Sequence, residues 1–196
     1  MSKALEIARA LVKVLEKSEN NTELADLKPG EKFRTEIGNF IVLDHENGQT
    51  KVLQEKFYAE GIELDSDSCD YIKSDLKRLF DSKITEKYEE IFGDALVEHE
   101  IHLMSVDMQE YGTFKCKVRP MIFDEARLYN EFIVDKALPG LWWTCTPWST
   151  KERGWERSVA VVGPSGDVVC GDDCGRSGGV RPFCILKSNI FVSKED

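Results

Sequence analysis

The chain has no apolar run approaching the roughly 18 residues needed to cross a bilayer, and no stretch shaped like an export signal. Its amino terminus, MSKALEIARALVKVLEK, is charged throughout, unlike the apolar core of a signal peptide. No membrane association and cytoplasmic residence are therefore expected. Positive charge is also in deficit. Lys and Arg total 26 against 36 Asp and Glu, a net charge of −10. A general nucleic-acid binder needs a basic face to displace phosphate counterions, so direct nucleic-acid binding is not expected. Internal repeats, low-complexity tracts, a phosphate-binding loop, a dinucleotide fingerprint and a recognisable Ser-His-Asp set are all missing. What is left is a folding chain of 196 residues, 41% hydrophobic, long enough for one sizeable core and a small appendage. Its acidity serves solubility, and it also permits a surface that competes with nucleic acid for a basic partner.

Six cysteines lie at 69, 116, 145, 170, 174 and 184. Without an export signal they are expected to stay reduced, mostly as small buried hydrophobes. Cys170 and Cys174 have the loose spacing of a zinc-ligand pair, but no second close pair completes a site, so no metal is expected. His99 and His102 would share a face on a helix. On the strand expected there, their odd spacing points them to opposite faces.

Residues 2–18 carry the clearest helical pattern. Ser2 can cap it, Ala4, Leu5, Ala8, Leu11, Val12 and Leu15 line one face, and Lys3, Glu6, Arg9, Lys13, Glu16 and Lys17 the other. Such an appended amphipathic helix either packs back on the core or pairs with another copy as a homodimer. The expected organisation is an N-terminal helix and linker over 1–22 and an α+β domain over 23–196. The domain opens with a β-meander that turns at Glu46-Asn47-Gly48. A helix capped by Ser66-Asp67-Ser68 follows, with Ile72, Leu76, Leu79 and Phe80 on one face. A second helix spans 86–92, with Thr85 as its cap and Gly93 as its stop. Then come a short buried strand over 99–104 and a third helix from Phe123 to Asn130. Helices between a first hairpin and a last block of strands indicate an α+β class.

That last block, 141–187, holds all four tryptophans. Strands over 158–162 and 167–170 are joined by Gly163-Pro164-Ser165-Gly166, and 178–186 reads as a turn feeding a buried closing strand. Strand alternation divides Trp142 and Trp143 between core and surface. Arg181, in a buried strand, needs carboxylate or carbonyl partners and is expected to pin nearby loops. The stretch from Trp148 to Trp155 is polar with tryptophans at its edges, and 171–177 mixes Asp, Arg and Ser. Exposed Trp and Arg recur as binding hot spots. The candidate partner-binding residues are therefore Trp148, Arg153, Trp155, Asp172, Asp173 and Arg176, with no catalytic set, no cofactor, and a protein as the partner.

Three motifs of this block, Leu-Trp-Trp-Thr-Cys-Thr-Pro-Trp at 141–148, Val-Val-Gly-Pro-Ser-Gly-Asp-Val at 161–168 and Gly-Val-Arg-Pro-Phe at 179–183, resemble a phage and prophage family of Gram-positive bacteria. Its usual wording is a WWLRSP-like strand, a V-x-x-x-G-x-V hairpin and a terminal GVRPAL strand; here Phe183-Cys184 replaces Ala-Leu. The resemblance implies a C-type-lectin-like fold, shared by formylglycine-generating enzymes and phage receptor-binding domains, with the segment from Val169 to Gly178 as a variable binding surface. It implies a phage setting and brings no activity with it. With the charge, it points to a non-enzymatic binding module encoded by a phage or prophage, an acidic intracellular inhibitor of a host defence protein such as a CRISPR nuclease. Two alternatives remain open. One is a metal- and cysteine-dependent oxidase using Cys170 or Cys174, related to formylglycine-generating enzymes. The other is a virion component recognising a cell-surface sugar or protein. Asp167, Asp172 and Asp173 alone offer too few oxygens for lectin-type calcium.

Overall fold

The computed structural model describes residues 21–195, and of Cys170, Gly171 and Asp172 only the backbone. The helix expected over 2–18, and with it the homodimer reading, lies outside the described residues. In chain order the strands are β1 (Asn21–Glu23), β2 (Lys32–Thr35), β3 (Gly38–Glu46), β4 (Gln49–Gln54), β5 (Ala59–Ile62), β6 (His99–Met104), β7 (Glu110–Cys116), β8 (Val118–Arg119), β9 (Trp142–Pro147), β10 (Ser158–Val162), β11 (Val168–Asp173), β12 (Gly178–Val180), β13 (Phe183–Lys187) and β14 (Phe191–Lys194). The helices are α1 (Asp75–Leu79), α2 (Thr85–Phe92), α3 (Phe123–Leu128) and α4 (Asn130–Ile133). The class is α+β, as expected. No helix among the described residues is long and apolar enough to cross a membrane.

Seven strands form one sheet, in the order β1-β14-β2-β3-β4-β13-β8, and five form a second, β11-β10-β9-β12-β5; β6 and β7 make a separate ribbon. The expected domain boundary at 22/23 falls inside β1, which pairs with β14. Strand alternation sorts apolar residues into two clusters. Phe40, Val42, Val52, Trp143, Val161 and Cys184 enter one; Ile41, Leu43, Leu53, Trp142, Val162 and Phe183 enter the other. Trp142 and Trp143 are thus both buried, correcting the core-and-surface expectation. Alternation holds, but β9 lies between β10 and β12 and both its faces are covered. The β3–β4 turn is as expected, with Asn47 and Gly48 both at positive φ, the requirement of a tight hairpin turn.

The helical region differs from the sequence reading. The cap is Ser74, whose Oγ accepts from the Lys77 amide at 3.0 Å, and not the 66–68 stretch. Asp70 caps the short turn Tyr71–Lys73 before it. Thr85 does not cap a helix, because a π-helical turn, Phe80–Ile84, joins α1 directly to α2. Burying Phe80, Ile84 and Tyr88 together favours this continuous path. Tyr88 and Phe92 pack edge-on against Phe40, and Tyr88 donates to Gln54 at 2.7 Å. The third helix breaks at Tyr129. The segment 178–186 is not one closing strand. β12 belongs to the second sheet, Arg181-Pro182 crosses over, and β13 belongs to the first, with β14 beyond it.

Two buried arginines tie these layers. Arg119 makes a two-pronged ion pair with Glu125 at 2.6 and 2.7 Å, lies over the Phe183 ring, and donates through Nε to His99 Nε2 at 3.1 Å. Glu125 also accepts from the Ile122 amide at 2.9 Å, fixing the start of α3. Against the cost of burial, Arg119 holds the Glu125 carboxyl below its ordinary pKa. Arg181 donates to the carbonyls of Gln54 and Ile133 at 2.9 and 2.7 Å and packs on Trp142. It thus pins β4 to α4 through carbonyls, one of the two partner types expected.

Candidate functional site

The segment from Trp148 to Arg157 leaves β9 and re-enters at β10. Its ends are closed by the Trp148 amide donating to the Ser158 carbonyl at 2.8 Å. Inside, a single turn, Lys151–Arg153, is terminated by Gly154 at φ +82°, where a side chain would be strained. The Trp155 amide donates back to the Thr150 carbonyl at 3.0 Å. This is a folded loop, in which the amides of Trp148, Arg153, Gly154 and Trp155 all donate to carbonyls between 150 and 158.

Side chains fasten it at both ends. Asp107, in the turn between β6 and β7, accepts from Ser105 and Ser149 at 2.6 and 2.7 Å and forms an ion pair with Arg153. Those hydroxyl and guanidinium donors hold its carboxyl at a pKa of about 2. Tyr111 on β7 donates to the Ser149 carbonyl at 2.7 Å. At the other end Arg157 grips Asp173 at 2.6 and 2.9 Å and also donates to the Ser66 carbonyl. The Cys69 amide donates to the Glu156 carbonyl at 2.8 Å. Three separate stretches, 66–70, 105–111 and 173–175, therefore hold one loop.

Beside the loop is a groove of about 400 Å³. Its walls carry Asp67, Asp70, Glu110, Glu152 and Glu156 against two lysines, Lys73 and Lys151. Lys73 pairs with Asp70 at 2.7 Å and Lys151 with Glu156 at 3.1 Å. Carboxylates still outnumber cations, so the groove is acidic. Trp155, on the loop that forms one wall, is 42% exposed, and the glycine and charged residues on either side of it are exposed too.

The six candidate residues take different places in the structure. Trp155 and Arg176 are exposed at the surface. Arg153 and Asp173 are engaged as clamps, with Asp107 and Arg157 respectively. Trp148 is half-buried beside the end of β9. Asp172 belongs to β11, opposite Val159, and its side chain lies outside the described residues. The expected second strand, 167–170, is thus longer: β11 runs on to Asp173 because Ser158 and Val159 pair with Asp173 and Asp172. Sequence reading missed Asp107, Arg157, Glu110, Tyr111 and the 67–70 carboxylates. They come from three distant stretches, 67–70, 107–111 and 157, and no local spacing announces that they meet.

His102 is exposed beside Glu110 at 3.2 Å, while His99 faces inward to Arg119, so the two point apart. Asp167 and Asp173 stand at opposite ends of β11, about 20 Å apart along a strand, and do not share a site. The five described cysteines are free and buried. Burial pushes the Cys174 thiol up to about 11, away from thiolate chemistry at neutral pH. Among the described residues, no three His, Cys, Asp or Glu side chains are grouped to hold a metal ion. Compared with family models, curated proteins and solved structures, the chain matches none.

Proposed function

We propose that the protein is a non-enzymatic recognition module whose 148–157 loop, with the acidic groove beside it, binds a basic surface of a partner protein. The observation that carries this reading is the pairing of an exposed Trp155 with a groove rich in carboxylates, on a loop fixed by ion pairs at both ends. A fixed aromatic in an electrostatically complementary setting costs little entropy to dock, and charge speeds and orients the encounter. The narrower identity rests on the sequence motifs: a C-type-lectin-like domain of phage or prophage origin, acting inside the host cell on a defence protein. A nuclease whose nucleic-acid channel is basic is the partner chemistry such an acidic surface fits.

The test is a pull-down with the tagged full chain from bacterial host lysate, repeated with Trp155→Ala and with Glu152→Lys/Glu156→Lys. One stoichiometric host protein is expected, bound at least tenfold more weakly by either variant. Its affinity should fall as salt shortens the Debye length from about 30 Å to about 10 Å. Binding that both variants leave unchanged, or binding to whole cells or glycans in its place, would overturn this assignment.

A further inference from the structure

Two arginines, Arg119 and Arg181, are buried among the described residues, and they differ in counter-charge. Arg119 has the Glu125 carboxylate at 2.6 Å. Arg181 has carbonyls in its place: Nε donates to Gln54, Nη1 donates to Ile133, and among the described residues Nη2 meets no acceptor. The carboxylates whose charge reaches it are those of Asp135 and Glu55, and they are paired with Lys56 and Lys32. Burial, only partly offset by those two charges, pushes the guanidinium down to about 10. A buried cation of this kind calls for compensation.

The indole beside Arg181 is in the same position. Trp142 is fully buried, its ring centre lies 5.3 Å from the guanidinium carbon, and among the described residues its Nε1–H has no acceptor either. Trp143 shows how the same group is satisfied next door, donating to the Ile62 carbonyl at 2.8 Å. Buried N–H groups are rarely left unpaired, and such a group points to a water or an ion that completes it. Here two unpaired donors belong to neighbouring side chains, one of them charged. The third buried polar atom of this kind, the Tyr71 hydroxyl, belongs to the other apolar cluster. Whatever completes the pair has to accept hydrogen bonds, carry negative charge and be small enough for a site that neither side chain opens to solvent. Water meets the first and last conditions, but it brings no charge and its own two hydrogens need acceptors. A carboxylate or phosphate brings more acceptor oxygens than two donors satisfy. A halide meets all three.

We propose that one chloride ion binds between Arg181 Nη2 and Trp142 Nε1 as the counter-ion of Arg181. It ties the Arg181-Pro182 crossover, where the chain passes from the second sheet to the first, to the central strand β9. This site is separate from the recognition loop and does not depend on its function.

Urea unfolding of the full chain, with sodium chloride replacing sodium gluconate at constant ionic strength, reads the site. An ion that binds only the folded state should lower the unfolding constant close to tenfold for each tenfold rise in chloride above its dissociation constant. Trp142→Phe keeps an aromatic ring beside Arg181 and removes the N–H, so it should need at least tenfold more chloride for the same effect. General salt effects act on both proteins alike and cancel in that comparison. Crystals of the wild type grown in sodium bromide give a reading that does not rely on the variant folding: an anomalous bromine peak within hydrogen-bond distance of both nitrogens. Unfolding constants indifferent to chloride, a dependence that Trp142→Phe leaves unchanged, or ordered water in place of bromide at the two donors would each overturn the proposal.

Discussion

Arginine–carboxylate pairs occur in this protein in two settings that do different work. Arg119 and Glu125 meet in the interior, where β8, α3 and the start of β6 converge, and the guanidinium has two further acceptors in Pro120 and His99. Arg157–Asp173 and Arg153–Asp107 meet at the surface, with their side chains about 40% exposed on average. Inside, water cannot replace a lost partner, so the pair is a condition of folding. Outside, water and salt can replace it, so the pair adds little to global stability and instead fixes the shape of one loop. The same chemistry thus maintains the scaffold in one place and presents a surface in the other.

The sharpest way to break that contrast is at Glu125. Glu125→Gln leaves Arg119 charged and uncompensated in the interior, and should cost about 3–5 kcal/mol, read as a lower urea midpoint with an unchanged slope. A loss below about 1 kcal/mol would place the interior pair in the same class as the surface clamps.

The interior centre should also be the acid-sensitive one. His99 Nε2 accepts from Arg119 Nε, and burial followed by the Arg119 charge lowers its pKa to about 4, from 6.5. The unfolded chain therefore takes up this proton first, and the native state is disfavoured as pH falls from 6.5 towards 4. Above 6.5 the imidazole is neutral in both states and contributes no pH dependence. The full span corresponds to about 3 kcal/mol, at most about 1.4 kcal/mol per pH unit. Comparing urea midpoints of the wild type and His99→Gln from pH 7 to pH 4 isolates this effect from the carboxylates. The variant should show the shallower dependence; parallel curves would mean that His99 does not titrate across folding.

How much of this was legible in the sequence follows the same division. The β3–β4 turn, the β10–β11 turn and the α+β class were readable because Asn47-Gly48 and Gly163-Pro164-Ser165-Gly166 act locally. The fate of Trp142 was not, because alternation tells which face a residue takes and not whether that face is covered. Short strands such as β5, β8 and β12 carry almost no periodic signal. Trp155 could be proposed as a recognition residue from its polar surroundings. The clamps could not: Arg157 reaches Asp173 and the Ser66 carbonyl, and Arg153 reaches Asp107, across sequence separations that only the fold closes.

The surface clamps should show the reverse balance of effects. Arg157→Ala and Asp107→Asn should each leave the urea midpoint close to that of the wild type, while loosening the loop that carries Lys151 and Arg153. Limited trypsin digestion reads the difference, since both basic residues are exposed cleavage sites. Cleavage at 151 or 153 should accelerate several-fold in either variant under conditions where the wild type remains intact. Equal digestion rates would mean that the ion pairs do not hold the loop.

The smallest effect on stability is expected at Trp155, and that smallness makes it informative. Its ring is exposed, and its backbone, not its side chain, closes the loop turn on Thr150. Trp155→Ala should therefore change the unfolding free energy by no more than about 0.5 kcal/mol and leave tryptic digestion of the loop as slow as in the wild type. An indole kept at the surface without a structural return is what a recognition residue looks like energetically. If Trp155→Ala instead destabilised the protein as strongly as Glu125→Gln, the ring would be part of the scaffold, and the proposed recognition would rest on the carboxylates of the groove alone.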